Sequence, residues 1–231
     1  MKQTILFSNV VGDICSDKND CEFNSNLTNV LKSSIKNNSN LVFINAPGFQ
    51  NDHLYFEKIL KCFEKVGIVF EKTIELSDNS KKEEFLNFPK SRVYFLMGGN
   101  PLTQLEIIKQ YDLQAELKNF DGVVIGFCAG AINLSKYSII TSDDDFAEPM
   151  WYQGINRVDI SIEPHFKLDD TDFTKNRLKE IEKFCNDLKI NIYAVPDESV
   201  INVVGKKVEF FGKVYKYWFV KIILVEVIWQ F

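Results

Sequence analysis

Arginine is scarce in this chain: of 27 lysines and arginines, only Arg92, Arg157 and Arg177 are arginines. A bidentate grip on a substrate carboxylate must draw on those three. Histidine is scarcer, with His53 and His165 alone. The five cysteines, Cys15, Cys21, Cys62, Cys128 and Cys185, are odd in number and match no zinc-ligand spacing. They read as mostly free thiols in a reducing, cytoplasmic compartment. An excess of positive charge is missing too: the net charge is −5, which gives no footprint for nucleic acid. No secretory leader is visible, since Met1-Lys2-Gln3-Thr4 runs straight into strand-like residues. The most apolar stretch, 217–231, is too short to span a bilayer and carries Lys221 and Glu226. It reads as a terminal strand or a subunit contact, so the expectation is no membrane partner and a monomer or homodimer.

What is present is apolar material in ordinary proportion, 45% hydrophobic against 26% charged, enough for one α/β domain over residues 1–231 with a large core. Strand and helix patterns alternate. Strands are expected at Gln3–Asn9, Asn40–Ala46, Ile68–Leu76, Arg92–Met97 and Gly122–Phe127. Helices are expected at Glu22–Lys36, Asp52–Val66, Lys81–Phe88, Leu113–Asn119 and, opened by Pro101 with Asn100 as its cap, after the fourth strand. Such alternation favours right-handed βαβ units and a largely parallel sheet in a three-layer domain. Beyond Ser135 the pattern loosens. Ile155–Ile162 alternates like a strand, Asp172–Leu188 reads as a long helix, and a hairpin turns at Gly205.

The chemistry gathers at Gly126-Phe127-Cys128-Ala129-Gly130. This is the cysteine version of the G-x-S-x-G nucleophile elbow, in the strand–turn–helix context the motif requires. A nucleophile on so sharp a turn adopts a strained backbone, so its neighbours must be small. Taken alone, Cys128 would read equally as a small buried core residue. Its context supports a nucleophile: the thiol would emerge at the carboxyl end of the sheet, where α/β folds bind ligands. The Ala129 N–H would be a natural oxyanion donor. Gly98-Gly99-Asn100, at the end of the fourth strand, would let a second backbone N–H approach a ligand closely. An isolated Gly-Gly turn is otherwise an ordinary loop.

A thiol nucleophile needs a base within hydrogen-bond reach. By elimination it is His165, which follows Pro164 at a strand end; His53 opens a helix in a polar segment and reads as a surface residue. An acid should orient the base and stabilise its imidazolium form. Two clusters offer one, Asp143-Asp144-Asp145 and Asp197-Glu198, although acidic runs are most often solvated loops.

Together the blocks Gly98-Gly99-Asn100 with Gln104-Leu105, IGFCAGAINLS and SIEPHF resemble the peptidase E group, the family S51 peptidases, along roughly residues 40–212. The resemblance implies a class I glutamine amidotransferase-like (flavodoxin-like) α/β fold and a cofactor-free, metal-free hydrolase acting on a small peptide or amide. It implies His165 as the histidine, the Gly98-Gly99-Asn100 block as the oxyanion loop, and Asp143 as the acid, since Asp143 lies fifteen residues after the nucleophile. Relatives also carry an acid in a block like Pro196-Asp197-Glu198-Ser199, which keeps Glu198 as a second choice. The departure is Cys128, where the family normally has serine. Members of the family cleave peptides with an N-terminal aspartate or cyanophycin, and Arg157 is the arginine nearest in sequence to read such a side chain. Two rivals share the scaffold. A glutamine amidotransferase proper would need His-x-Glu, but Phe166-Lys167 comes after His165. A DJ-1/PfpI-like redox sensor would need an early-loop glutamate, which Gly12-Asp13 does not supply.

Overall fold

The computed structural model describes residues 1–12, 14, 21–48, 54–90, 92–218 and 221–225, the last only as a strand. His53, Cys15, Asp13 and the chain end beyond 225 lie outside the described residues, and with them the surface reading of His53. In chain order the elements are β1 (Gln3–Phe7), α1 (Ser25–Ser34), β2 (Asn40–Ile44), α2 (Tyr55–Lys65), β3 (Thr73–Leu76), α3 (Lys82–Leu86) and β4 (Arg92–Leu96). Next come α4 (Pro101–Gln110), α5 (Gln114–Asn119), β5 (Val123–Phe127), α6 (Ala129–Leu134), β6 (Tyr137–Ile140), β7 (Met150–Gln153) and β8 (Ser161–Glu163). The chain closes with α7 (Asp172–Leu188), β9 (Ile192–Ala194), β10 (Val200–Val204), β11 (Lys207–Phe211), β12 (Val214–Trp218) and β13 (Lys221–Val225).

The main sheet runs β11-β10-β1-β5-β4-β2-β3. The pairs from β1 through β3 are parallel, while β10 and β11 are antiparallel additions beside β1. The strict period of two in the buried strands decides the layering. Leu6, Val42, Ile44, Tyr94, Leu96 and Val124 face α4, α5 and α6 on one side. Ile5, Phe7, Leu41, Phe43, Phe95, Ile125 and Phe127 face α1 and α2 on the other. The arrangement is the expected α/β three-layer fold with a mostly parallel sheet. Central β5 sits between β1 and β4, so the turn after Phe127 emerges in the middle of the carboxyl edge.

Three departures from the expectations have local causes. The third strand begins only at Thr73, because the chain from Gly67 first crosses the surface, leaving Val69 58% exposed. The alternation of Ile155–Ile162 yields β8 alone: Asn156 takes a left-handed turn (φ 58°) and breaks the pleat. The loosened stretch after Ser135 contains the antiparallel pair β6–β7. A second sheet, β13-β12-β9-β8, packs beside α7 through Phe166, Ile181, Phe184 and Tyr217. Part of the apolar chain end thus forms a terminal hairpin, β12 against β13.

Candidate active site

Cys128 sits between β5 and α6 with φ 47° and ψ −104°, a backbone conformation that non-glycine residues avoid. The surroundings hold it there. Its N–H donates to Phe7 O at 2.9 Å, anchoring the turn to β1, and Gly130 N–H donates to Met97 O at 3.1 Å, anchoring α6 to the end of β4. Gly130 is required for that approach: a Cβ on it would lie 2.2 Å from Leu96 O. This is the strained elbow that the motif foretells. Ala129 is the first residue of α6, so helix geometry leaves its N–H without an intrahelical acceptor.

The Gly98-Gly99 turn adjoins the nucleophile. A Cβ placed on Gly98 would come within 3.2 Å of Cys128 Cβ, and Gly99 has φ 132° where an added Cβ would meet Ala46 O at 2.3 Å. Asn100 has a different occupation. Its side-chain oxygen accepts from Leu102 N–H at 2.9 Å and Thr103 N–H at 3.3 Å, so it caps α4. It fixes the loop rather than offering its carboxamide to a ligand. Gln104, fully buried on α4, braces the same loop by donating to Met97 O at 2.8 Å.

His165 stands at the end of β8, two residues past Glu163, also in a left-handed conformation (φ 53°). Its ring shares the cavity with the Cys128 thiol and feels its electrostatic influence. On the other side Nδ1 lies 2.7 Å from Asp197 Oδ1. Desolvation pulls the imidazole down, but the electrostatic pull of Cys128, then the Asp197 hydrogen bond, outweigh it and hold the ring's pKa up to about 10. Asp197 is held below the ordinary aspartate value, mainly by the His165 hydrogen bond against its burial, with a further hydrogen bond from Asn9. The hydrogen-bonded pair is therefore His165 and Asp197, with Cys128 and Asn9 lining the same cavity as His165.

The carboxylate at His165 is not the one expected. The partner of His165 is Asp197, and neither Asp143 nor Glu198 occupies that place. Asp143 lies on the loop between β6 and β7, where its Oδ1 closes a turn by accepting from Asp145 N–H at 2.9 Å and Phe146 N–H at 2.8 Å. It lines the cavity without touching the histidine. Glu198 is exposed, and its backbone carbonyl accepts from Asn26. Of these adjacent loop residues, Asp197 is the one that meets His165.

Arg157 is corrected as well. It is 4% exposed and lies at the amino end of the sheet, far from the elbow. Its guanidinium donates to Thr4 Oγ1, Leu117 O, Phe120 O, Gln3 O and Gly122 O at 2.7–3.0 Å, leaving no donor for a substrate. The arginine that does reach the site is Arg177 on α7.

Cys128, His165, Gly98 and Gly99 share a cavity of about 760 Å³. Ile132, Ile139, Phe146 and Phe173 give it an apolar wall, and Asp143 and Asp145 an acidic rim. That volume suits a small molecule or a few residues of peptide. Among the described residues no group of histidine, cysteine and carboxylate side chains is arranged to hold a metal ion, and no helix is long and apolar enough to cross a membrane.

The chain matches the family model described as Peptidase family S51 over residues 14–211. Its fold is similar to a crystal structure of a candidate peptidase E protein from Listeria monocytogenes EGD-e, with a TM-score of 0.63 and 20% identity, covering 91% of this chain and 98% of that one. No curated protein matches the chain. With a family match over most of its length, the chain belongs to peptidase family S51.

Proposed function

We propose that this protein is a cysteine-nucleophile hydrolase of a small peptide or amide. One observation carries the reading: a strained elbow cysteine and a histidine that is itself held by a carboxylate open on one cavity. The Cys128 thiolate attacks the carbonyl carbon, and the C=O π electrons move to oxygen. The Ala129 N–H, with Gly98 or Gly99 N–H, holds that oxyanion; one such donor is typically worth ~3 kcal/mol of transition-state stabilisation. The tetrahedral intermediate then expels the amine, which takes its proton from the His165 imidazolium. A water, deprotonated by His165, attacks the thioester and releases the acid and the thiol.

Asp197 keeps the Nδ1 proton in place, so that Nε2 is left to serve Cys128. The raised His165 pKa supports this assignment, because an amide is a poor leaving group and the amine must be protonated before the thiolate departs in its stead. The test pairs two assays. Iodoacetamide labelling, read cysteine by cysteine, is expected to modify Cys128 ahead of the buried Cys62 and Cys185. Against a small-peptide and amide panel, wild type is expected to cleave, with Cys128→Ala and His165→Ala both inactive. A protein that cleaves nothing while only Cys128→Ala abolishes its peroxide response would be a thiol sensor instead.

A further inference from the structure

Three consecutive residues at the histidine turn converge on one side chain. Arg177 reaches from α7 and donates through Nε to the Glu163 carboxylate, through Nη2 to Pro164 O at 2.6 Å, and through Nη1 to His165 O at 3.1 Å. Glu163 is 2% exposed and also accepts from the Thr141 hydroxyl at 2.7 Å. Burial raises its carboxyl pKa, and the Arg177 charge opposes that rise. A buried carboxylate costs several kcal/mol unless paired, so something must be gained by placing one here.

The gain lies at His165. A left-handed non-glycine residue costs ~1–3 kcal/mol and persists only where its surroundings over-determine it. Backbone contacts to β9 tie the flanks: Val195 N–H donates to Glu163 O at 2.8 Å and Phe166 N–H to Val195 O at 3.2 Å. Between those ties only the guanidinium fork holds the carbonyls of 164 and 165. We propose that Arg177, fixed by the buried carboxylate of Glu163, is a positioning residue that holds the His165 turn so that the imidazole meets Cys128 and Asp197. This rests on the hydrolase reading above.

Three of the five Arg177 N–H groups are taken up in this way. The other two arginines stand away from the cavity: Arg157 is spent at the amino end of the sheet, and Arg92 opens β4 against the rings of Phe85 and Tyr94, beside Glu116.

The charges around the imidazole let an experiment separate positioning from charge. They are Cys128 from the elbow, Asp197 from the loop after β9, Glu163 from β8, Arg177 from α7 and Asp143 from the β6–β7 loop. Removing the Arg177 cation would, by Coulomb's law alone, make His165 easier to protonate. Losing its grip on the turn would do the opposite, by parting the ring from thiolate and carboxylate. The test tracks the His165 imidazole by NMR and Cys128 alkylation from pH 5 to 10, in wild type, Arg177→Met, Arg177→Lys and the double variant Glu163→Gln/Arg177→Met. Positioning is expected to bring the His165 titration down toward ~6.5 in Arg177→Met and to slow alkylation at pH 6 at least tenfold. The double variant, which carries no stranded carboxylate, should do the same. Arg177→Lys keeps the charge but not the three-pronged fork, and is expected to fall between; it carries the test if the Met variant does not fold. A His165 titration unchanged or raised in the variants would overturn the proposal. If wild-type His165 itself titrates near ~6.5 and Cys128 is not preferentially labelled, the hydrolase reading fails and the proposal with it.

Discussion

His165 Nδ1 lies 2.7 Å from Asp197 Oδ1, across 32 residues of chain and between the turn after β8 and the loop after β9. In the proposed mechanism this contact gives Asp197 the part of the orienting acid. Replacing Asp197 by Asn is expected to lower kcat by up to ~10⁴, as in other triads where the tautomer is lost. Asp143→Asn and Glu198→Gln are each expected to keep kcat within a few-fold. Steady-state kinetics on whichever panel substrate wild type cleaves decides among the three.

The protonation of His165 gives a second expectation. Its folded pKa of about 10 stands above the ordinary histidine value of 6.5. Stability from the charged ring is therefore complete below ~6.5 and lost as pH rises through about 10. Asp197, held low, contributes stability above the ordinary carboxylate range, lost as pH falls through its folded value. With only two histidines in the chain, NMR can monitor the ring directly, assigned through His165→Gln. Wild-type His165 is expected to stay protonated at pH 8. Cys128→Ala removes the thiolate, the largest influence raising it, and should bring the titration down by more than one unit. No change on removing the thiol would mean that the two groups are not paired.

The elbow should be intolerant of a single methyl. In Gly130→Ala the new Cβ would meet Leu96 O at 2.2 Å, and a backbone carbonyl in a central strand cannot step aside. Overpacking of this kind costs ~1–3 kcal/mol. The loss should appear in urea unfolding, together with reduced Cys128 labelling, because α6 cannot dock without shifting the nucleophile. Normal stability would show that α6 has room to move away from β4.

How far the sequence speaks for itself differs by region, for physical reasons. The strands β1, β2, β4 and β5 are buried on both faces and read as continuous apolar runs; their turns carry Pro47-Gly48 and Gly98-Gly99. The elbow is legible because strain demands small neighbours at fixed spacing. The β6–β7 hairpin is not, because Tyr137–Ile140 and Met150–Gln153 are four residues each and part of each faces solvent. Arg157 misleads since its burial is sustained by hydrogen bonds, and a charged residue in an alternating pattern reads as solvent-facing. The acid is the instructive case. Asp197 and Glu198 are neighbours of one charge type, and which of them turns inward depends on the path of the loop after β9. The Glu163–Arg177 clamp had one faint signal, that arginine is so rare here that each copy is apt to be committed.

That commitment can be tested at Arg157, which shares no contact with the site. Burial lowers its pKa to about 10, and five acceptors from β1, β5 and the end of α5 depend on it. In Arg157→Met several of those acceptors would be buried without a donor, at ~1–3 kcal/mol for each that water cannot reach. The expected result is a fall in Tm of about ten degrees or more, on the basis that ~1 kcal/mol moves a domain of this size by ~2–4 °C. Because the lesion sits at the amino end of the sheet and the elbow at the carboxyl end, the folded fraction should keep wild-type Cys128 alkylation at every pH. A variant that loses alkylation while still melting cooperatively would instead tie Arg157 to the site and restore it as a residue that could act on substrate.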